Sequence, residues 1–108
     1  MKSKNHNIPL PALLSALGVT KQELSSDVRT RQLSDARAMV AYILGKHSHM
    51  TQQDIANLFE TSQAGVCKMQ MRHQSLLDSN REYRSKWEIL AKYLSEHLNI
   101  NIKDYEKK

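Results

Sequence analysis

The chain has 108 residues, a net charge of +5 and a single cysteine. A chain of this length buries enough surface on folding to form one domain without disulfides or structural metals. No apolar run approaches the about 18 residues that a bilayer-spanning helix needs, so we expect no membrane partner. The unpaired Cys67 fits a reducing compartment, and the sequence therefore predicts a cytoplasmic protein.

The first part of the chain predicts a flexible basic leader at residues 1–7, followed by two short helices. The apolar segment Leu10–Leu17 forms the first helix, and Gly18 ends it as a C-cap. Thr20 begins the second helix, where Glu23 three residues later completes a capping box.

A basic loop and a longer helix come next. Residues 25–33 have weak helical periodicity and are interpreted as a linker loop that carries Arg29 and Arg31. Ser34 is predicted to cap a helix at about 35–47. Apolar residues recur in that helix at spacings of three and four, which predicts a buried stripe of Ala36, Met39, Val40, Ile43 and Leu44.

Residues 51–69 predict two short helices joined by a tight turn, with the spacing of a helix-turn-helix. Thr51 and Ser62 are placed as N-caps, and Ala56 is the small residue where the helices cross. Glu60, in the turn, is expected to take an ordinary helical conformation. The shared seam of the two helices is predicted to bury Ile55, Phe59, Val66 and Met69.

A final helix completes the predicted domain, which spans residues 8–98. Asn80 is its expected N-cap, and residues 99–108 are predicted to be a frayed tail. With no credible strand, the fold class is all-α, a compact bundle of about six helices that contains the helix-turn-helix. The apolar stripe of the last helix comprises Tyr83, Trp87, Leu90, Leu94 and Leu98.

The second helix of the motif has the chemistry of a DNA-reading helix. No acidic residue occurs from 61 to 74, and amides with cations but no carboxylates suit the negative potential of a DNA groove. Gln63 can pair with adenine, and Ala64 can touch a thymine methyl group. Gly65 has no side chain and is expected to permit close approach of its backbone to DNA. Further residues predicted to contact DNA in this motif are Thr51, Gln52, Ser62, Lys68 and Arg72.

Catalysis and metal binding are not predicted. The sequence has no clustered carboxylate pair, no Ser-His-Asp arrangement and no phosphate-binding glycine loop. His47 and His49 are separated by one residue, which is poor spacing for metal ligands on a helix. We therefore expect a non-enzymatic protein without a cofactor or a metal.

The order of these elements resembles the C-terminal DNA-binding domain of the bacterial replication initiator DnaA, which has a Trp-repressor-like helix-turn-helix fold. The resemblance covers roughly residues 8–95. It rests on GVTKQEL at 18–24, RTR at 29–31, DARAMVAYIL at 35–44, DIANLF at 54–59, and Val66. It implies binding to double-stranded DNA in replication initiation or its control, as in origin binding.

The resemblance also implies roles for three arginines. Arg29 matches the loop arginine that enters the minor groove in that family, and Arg31 matches a second basic position of the loop. Arg37 matches an arginine that contacts DNA from the start of the next helix. The glutamine that usually follows is Ala38 here.

The reading helix departs from the family. The initiators carry Asp-His-Thr-Thr-Val at its start, whereas this chain has Ser-Gln-Ala-Gly-Val at 62–66, and Lys68 replaces a histidine further along. The resemblance therefore predicts the family scaffold with a different target site. The absence of an ATPase motif excludes a full initiator and leaves a free-standing protein or a fragment of a larger one. The leader and Met1 favour a small free-standing protein from a bacterium, a phage or another mobile element, acting in the bacterial or host cytosol.

Two other functions remain open on the sequence. A transcriptional regulator with the same fold would bind as a homodimer, with the final helix as the dimer surface. A protein-interaction module would keep the fold and bind another protein instead of DNA. Replication proteins are expected partners if the first function holds.

Overall fold

The computed structural model describes residues 10–26, 28, 30–48 and 50–97. These residues form no strand, and the predicted all-α class with six helices is confirmed. The predicted leader, the predicted tail, Arg29, His49 and Leu98 lie outside the described residues. In chain order the helices are α1 (Leu10–Leu17), α2 (Lys21–Leu24), α3 (Arg31–His47), α4 (Gln52–Phe59), α5 (Gln63–Ser79) and α6 (Arg81–His97).

The ends of α1 and α2 are fixed by local signals that the sequence predicts. Gly18 has a φ of 73°, the left-handed conformation of a helix C-cap, and Val19 N–H donates to Leu14 O at 3.1 Å. Thr20 Oγ1 accepts from Glu23 N–H at 3.0 Å, and Glu23 Oε1 accepts from Thr20 N–H at 2.9 Å. The predicted capping box is therefore confirmed.

The start of α3 differs from the prediction. The helix begins at Arg31, so Thr30 is the N-cap and Ser34 lies inside the helix. Thr30 Oγ1 accepts from Leu33 N–H at 3.2 Å, and Leu33 is buried. Burial of Leu33 extends the apolar stripe of α3 by one turn, which explains why the helix starts earlier and why Arg31 is helical.

The core lies between α3, α5 and α6, with α4 packed across α5. Trp87 is completely buried, and the predicted apolar stripes of α3 and α6 are buried wherever they are described. Ile55, Ala56 and Val66 are also fully buried, which confirms the seam of the helix-turn-helix, while Met69 is only half-buried at its edge. The motif is therefore a part of the core and not an appendage.

A single residue, Asn80, separates α5 from α6. Asn80 Oδ1 accepts from Tyr83 N–H at 2.9 Å, which confirms Asn80 as the N-cap of α6. The guanidinium of Arg84 donates to Leu77 O through Nε at 2.9 Å and through Nη2 at 2.7 Å. These bonds satisfy a carbonyl that the end of α5 leaves without a helical partner.

A buried polar and aromatic cluster ties the inner face of α5 to its neighbours. His73 is completely buried, with Nδ1 2.7 Å from the hydroxyl oxygen of Tyr83. Its ring stacks on Tyr42 at a centroid distance of 4.2 Å and meets Trp87 edge-on at 4.4 Å. Burial lowers the pKa of His73 to about 4, so the imidazole is neutral at pH 7.

Candidate nucleic-acid interface

The turn between α4 and α5 determines how the two helices cross. Thr51 caps α4 in a capping box with Asp54, as Thr51 Oγ1 accepts from Asp54 N–H at 3.1 Å. At the other end, Glu60 takes a left-handed conformation with φ 55° and ψ 48°. The expectation of an ordinary helical turn at Glu60 is therefore wrong. The left-handed residue lets Thr61 N–H reach back to Ala56 O at 2.9 Å and end the helix.

The N-terminus of α5 has the features of an anion-binding helix end. Ser62 is the predicted N-cap, and its Oγ accepts from Gly65 N–H at 3.1 Å. The first turn contains no acidic residue, so no carboxylate within that turn neutralises the partial positive charge of the helix N-terminus. A phosphate group is a suitable partner for this helix end.

Gly65 has an internal reason to be glycine. A Cβ atom at this position would lie 2.5 Å from Thr61 Oγ1, so the missing side chain makes room for the side chain of the turn. Close approach of DNA to Gly65 stays a prediction. The packing of Thr61 is enough to explain the residue.

The outer face of α5 is exposed along the first half of the helix. It lies opposite the face that buries Val66 and His73. Met71 is 65% exposed, and Cys67 is exposed beside it, with its Sγ 3.9 Å from Met71 Sδ. We call this surface the reading face, and its residues are Ala64, Cys67, Lys68 and Met71.

A row of three side-chain amides runs from α4 to the start of α5. Gln63 Nε2 donates to Gln53 Oε1 at 2.8 Å, and Gln53 Nε2 donates to Asn57 Oδ1 at 3.0 Å. All three residues are exposed, so this amide row stands beside the reading face. Gln63 was predicted at the interface, but Gln53 and Asn57 were not. Their spacing of four on an exposed helix face was the signal available in the sequence.

The side-chain amide of Gln52 makes hydrogen bonds within the fold, behind the reading face. Its amide pairs reciprocally with that of Gln70, with N···O distances of 3.2 and 3.1 Å. Gln70 Nε2 also donates to Ala41 O at 3.0 Å, and Gly45 on α3 leaves the space that this amide occupies. Gln52 and Gln70 thus hold α4 and α5 against α3, and the predicted DNA contact of Gln52 is untested.

The structure describes two of the three predicted arginine contacts, Arg31 and Arg37. Arg31 is exposed at the first position of α3, and Arg29 lies outside the described residues. Arg37 donates through Nε to Leu24 O at 2.9 Å and through Nη2 to Ser26 O at 2.9 Å. Its guanidinium therefore closes the C-terminal end of α2, a structural role that the sequence analysis did not predict.

Arg72 turns away from the reading face. Its Nη2 lies 4.0 Å from Asp35 Oδ1, and Lys86 Nζ lies 3.4 Å from Asp35 Oδ2. Only 5% of the surface of Asp35 is exposed, so the two cations compensate a nearly buried carboxylate. Burial, and to a smaller extent the Asp35 carboxylate, raise the pKa of Tyr83. Arg72 therefore joins α5 to α3 on a flank of the helix.

The described residues contain no cluster of three His, Cys, Asp or Glu side chains that could hold a metal ion. Within the same part of the chain, no helix is both long and apolar enough to cross a membrane.

No family model, curated protein or solved structure matches the chain. A function for this protein is therefore inferred from its residues and their geometry.

Proposed function

We propose that this protein binds double-stranded DNA sequence-specifically, with α5 in the major groove. The observation that carries the proposal is the reading face. It is an exposed, carboxylate-free helix surface that begins at a capped N-terminus and is supported from behind by α4 and the core. A helix with its side chains is about 10–12 Å across, and the major groove is about 12 Å wide.

The proposed contacts divide into reading and positioning. Gln63, Ala64 and Lys68 lie in the N-terminal half of α5, the part that reaches base edges when a recognition helix docks. The Thr51 and Ser62 hydroxyl oxygens accept bonds from helix N–H groups, and each keeps its own hydrogen to donate to a phosphate.

The basic loop supplies the second part of the proposed interface. Arg29 enters the minor groove, and Arg31, exposed at the start of α3, contacts the backbone beside it. This assignment follows the resemblance to the DnaA domain, which also favours origin binding, in replication initiation or its control, with replication proteins as partners. The net charge of +5 attracts the chain to DNA in either setting.

The test is selection of binding sites from a random duplex library at two salt concentrations. A single enriched motif with an affinity that falls steeply with salt is the expected result, because each phosphate contact adds about 0.9 to the logarithmic salt slope. Lys68→Ala should relax the enriched motif at one position. Lys92→Ala, which removes the same charge from an exposed site on α6, should not. Absence of any enriched motif would refute sequence-specific binding.

A protein-interaction module is a second candidate, favoured by a different observation. A groove of about 500 Å³ runs beside Met71 and is bordered by Tyr42, Gly45 and Gln74. Exposed methionine beside an apolar groove is typical of surfaces that bind protein helices. Binding that does not respond to salt would favour this candidate over DNA.

A transcriptional regulator is the remaining alternative, and its homodimer stays a prediction. The α6 stripe that would supply the dimer surface is buried within the monomer at every described position. Ile89, which is 70% exposed, is the large apolar side chain that α6 still presents. Sedimentation at high protein concentration would show whether a dimer forms.

A further inference from the structure

The amide row leaves Gln63 with a defined set of free hydrogen-bonding groups. One of its two Nε2 hydrogens is donated to Gln53 Oε1 at 2.8 Å. The second hydrogen and the Oε1 acceptor are not used in this bond, so Gln63 can present one donor and one acceptor to DNA.

This donor and acceptor pair matches one base edge in the major groove. Adenine offers the N7 acceptor and the N6 donor, which a glutamine amide pairs with in a bidentate manner. Guanine offers two acceptors, cytosine offers a donor alone, and thymine offers one acceptor beside a methyl group. Adenine is therefore the base that uses both free groups of Gln63.

The neighbouring amides restrict how Gln63 can turn. An exposed glutamine has three rotatable bonds, and ordering them on binding costs conformational entropy. Gln53 fixes the Gln63 amide before DNA arrives, and Gln53 is itself held by its bond to Asn57 Oδ1 at 3.0 Å. Since a pre-ordered side chain loses less freedom on binding, the row should sharpen the preference for adenine.

We propose that Gln53, held by Asn57, is a positioning residue that orients Gln63 to read an adenine in the target duplex. The inference rests on the proposed DNA binding and deepens it. Gln53 touches no base in this arrangement and acts through Gln63. Replacement of Gln53 should therefore change the discrimination among bases more than it changes the stability of the fold.

The experiment is a double-mutant cycle on base preference. Wild type, Gln53→Ala, Gln63→Ala and the double variant are titrated against the selected duplex and against duplexes with the A·T pair at the Gln63 position replaced. Gln53→Ala should lower the preference for A·T about three- to tenfold, the size expected for one lost hydrogen bond. In the Gln63→Ala background it should have no further effect on preference, whereas a merely structural role would act equally in both backgrounds.

Two further variants control the result. Gln53→Glu keeps an oxygen that accepts from Gln63, and the Asn57 amide can turn so that its Nδ2 donates to the new carboxylate. This variant should therefore retain the A·T preference while its negative charge weakens binding to every duplex alike. Gln32→Ala removes an exposed glutamine from α3 and should change nothing. Thermal midpoints of all variants should agree with that of the wild type, since the row is exposed.

The outcomes separate the two proposals. An unchanged A·T preference in Gln53→Ala, in a protein that does select a duplex, overturns the positioning role and leaves the proposed function intact. A preference for a base other than adenine opposite Gln63 also overturns the inference alone. A wild-type protein that selects no duplex overturns both.

Discussion

Acidification should destabilise this fold through one buried imidazole. The pKa of His73 is lowered to about 4 in the folded protein, against 6.5 for an unperturbed histidine. Because the folded-state pKa lies below the unfolded value, the stabilising contribution of the neutral ring is fully present above pH 6.5. It is lost as the pH falls towards 4, since the unfolded chain takes up a proton that the folded chain does not.

The size of this effect follows from the two pKa values. Between pH 7 and pH 5 the unfolded imidazole becomes almost fully protonated while the folded one stays neutral, which removes about 2 kcal/mol of unfolding free energy. A small domain has only about 5–15 kcal/mol in total, so the loss is a large fraction. Urea unfolding at the two pH values measures it, with the fluorescence of the single tryptophan, Trp87, as the probe.

The matched control removes the titrating pair and keeps the rings. In the double variant His73→Phe/Tyr83→Phe, the stacked contact with Tyr42 is retained and no hydroxyl loses its partner. This variant should lose about 2 kcal/mol less than the wild type between pH 7 and pH 5. Equal losses in the two proteins would refute the lowered pKa, because every other titrating group is the same in both.

Three further predictions concern the turn, α2 and the reading face. Glu60→Gly should raise the unfolding free energy by about 1 kcal/mol in urea, since glycine adopts the left-handed conformation without strain; Glu60→Ala should give no such gain. Arg37→Ala should lower stability by about 2 kcal/mol because three carbonyl bonds are lost, whereas Arg31→Ala should leave the urea midpoint unchanged. Bound specific duplex should protect Cys67 from iodoacetamide in a mass-spectrometric assay, and alkylation at an equal rate with and without DNA would contradict the docked reading face.

The local start and stop signals of the helices could be predicted from the sequence. Thr20, Thr51, Ser62 and Asn80 each bond to a backbone N–H three residues later, within a single turn of helix. Such short-range chemistry depends on residue type and spacing alone, so the pattern is readable without a structure. Thr30 was missed because Ser34 offered an equally good cap, and burial of Leu33 decided between them.

The hydrogen-bond partners of individual polar side chains could not be predicted in the same way. The Gln63–Gln53 bond joins residues 10 apart, and the Gln52–Gln70 bond joins residues 18 apart. Both depend on how α4 crosses α5, which the periodicity of either helix does not determine. Glu60 was misjudged for a related reason. Its left-handed conformation is imposed by the closing bond of α4, although glutamate has no intrinsic preference for it.

The two faces of α5 make the motif a convenient scaffold for redesign. Val66 and His73 occupy the buried face, so substitutions there disturb the whole fold. Ala64, Lys68 and Met71 occupy the opposite face and contribute little to the core. Members of a combinatorial library varied at those three positions should therefore keep the parent architecture, and under the proposed docking they would differ in the duplex that they select.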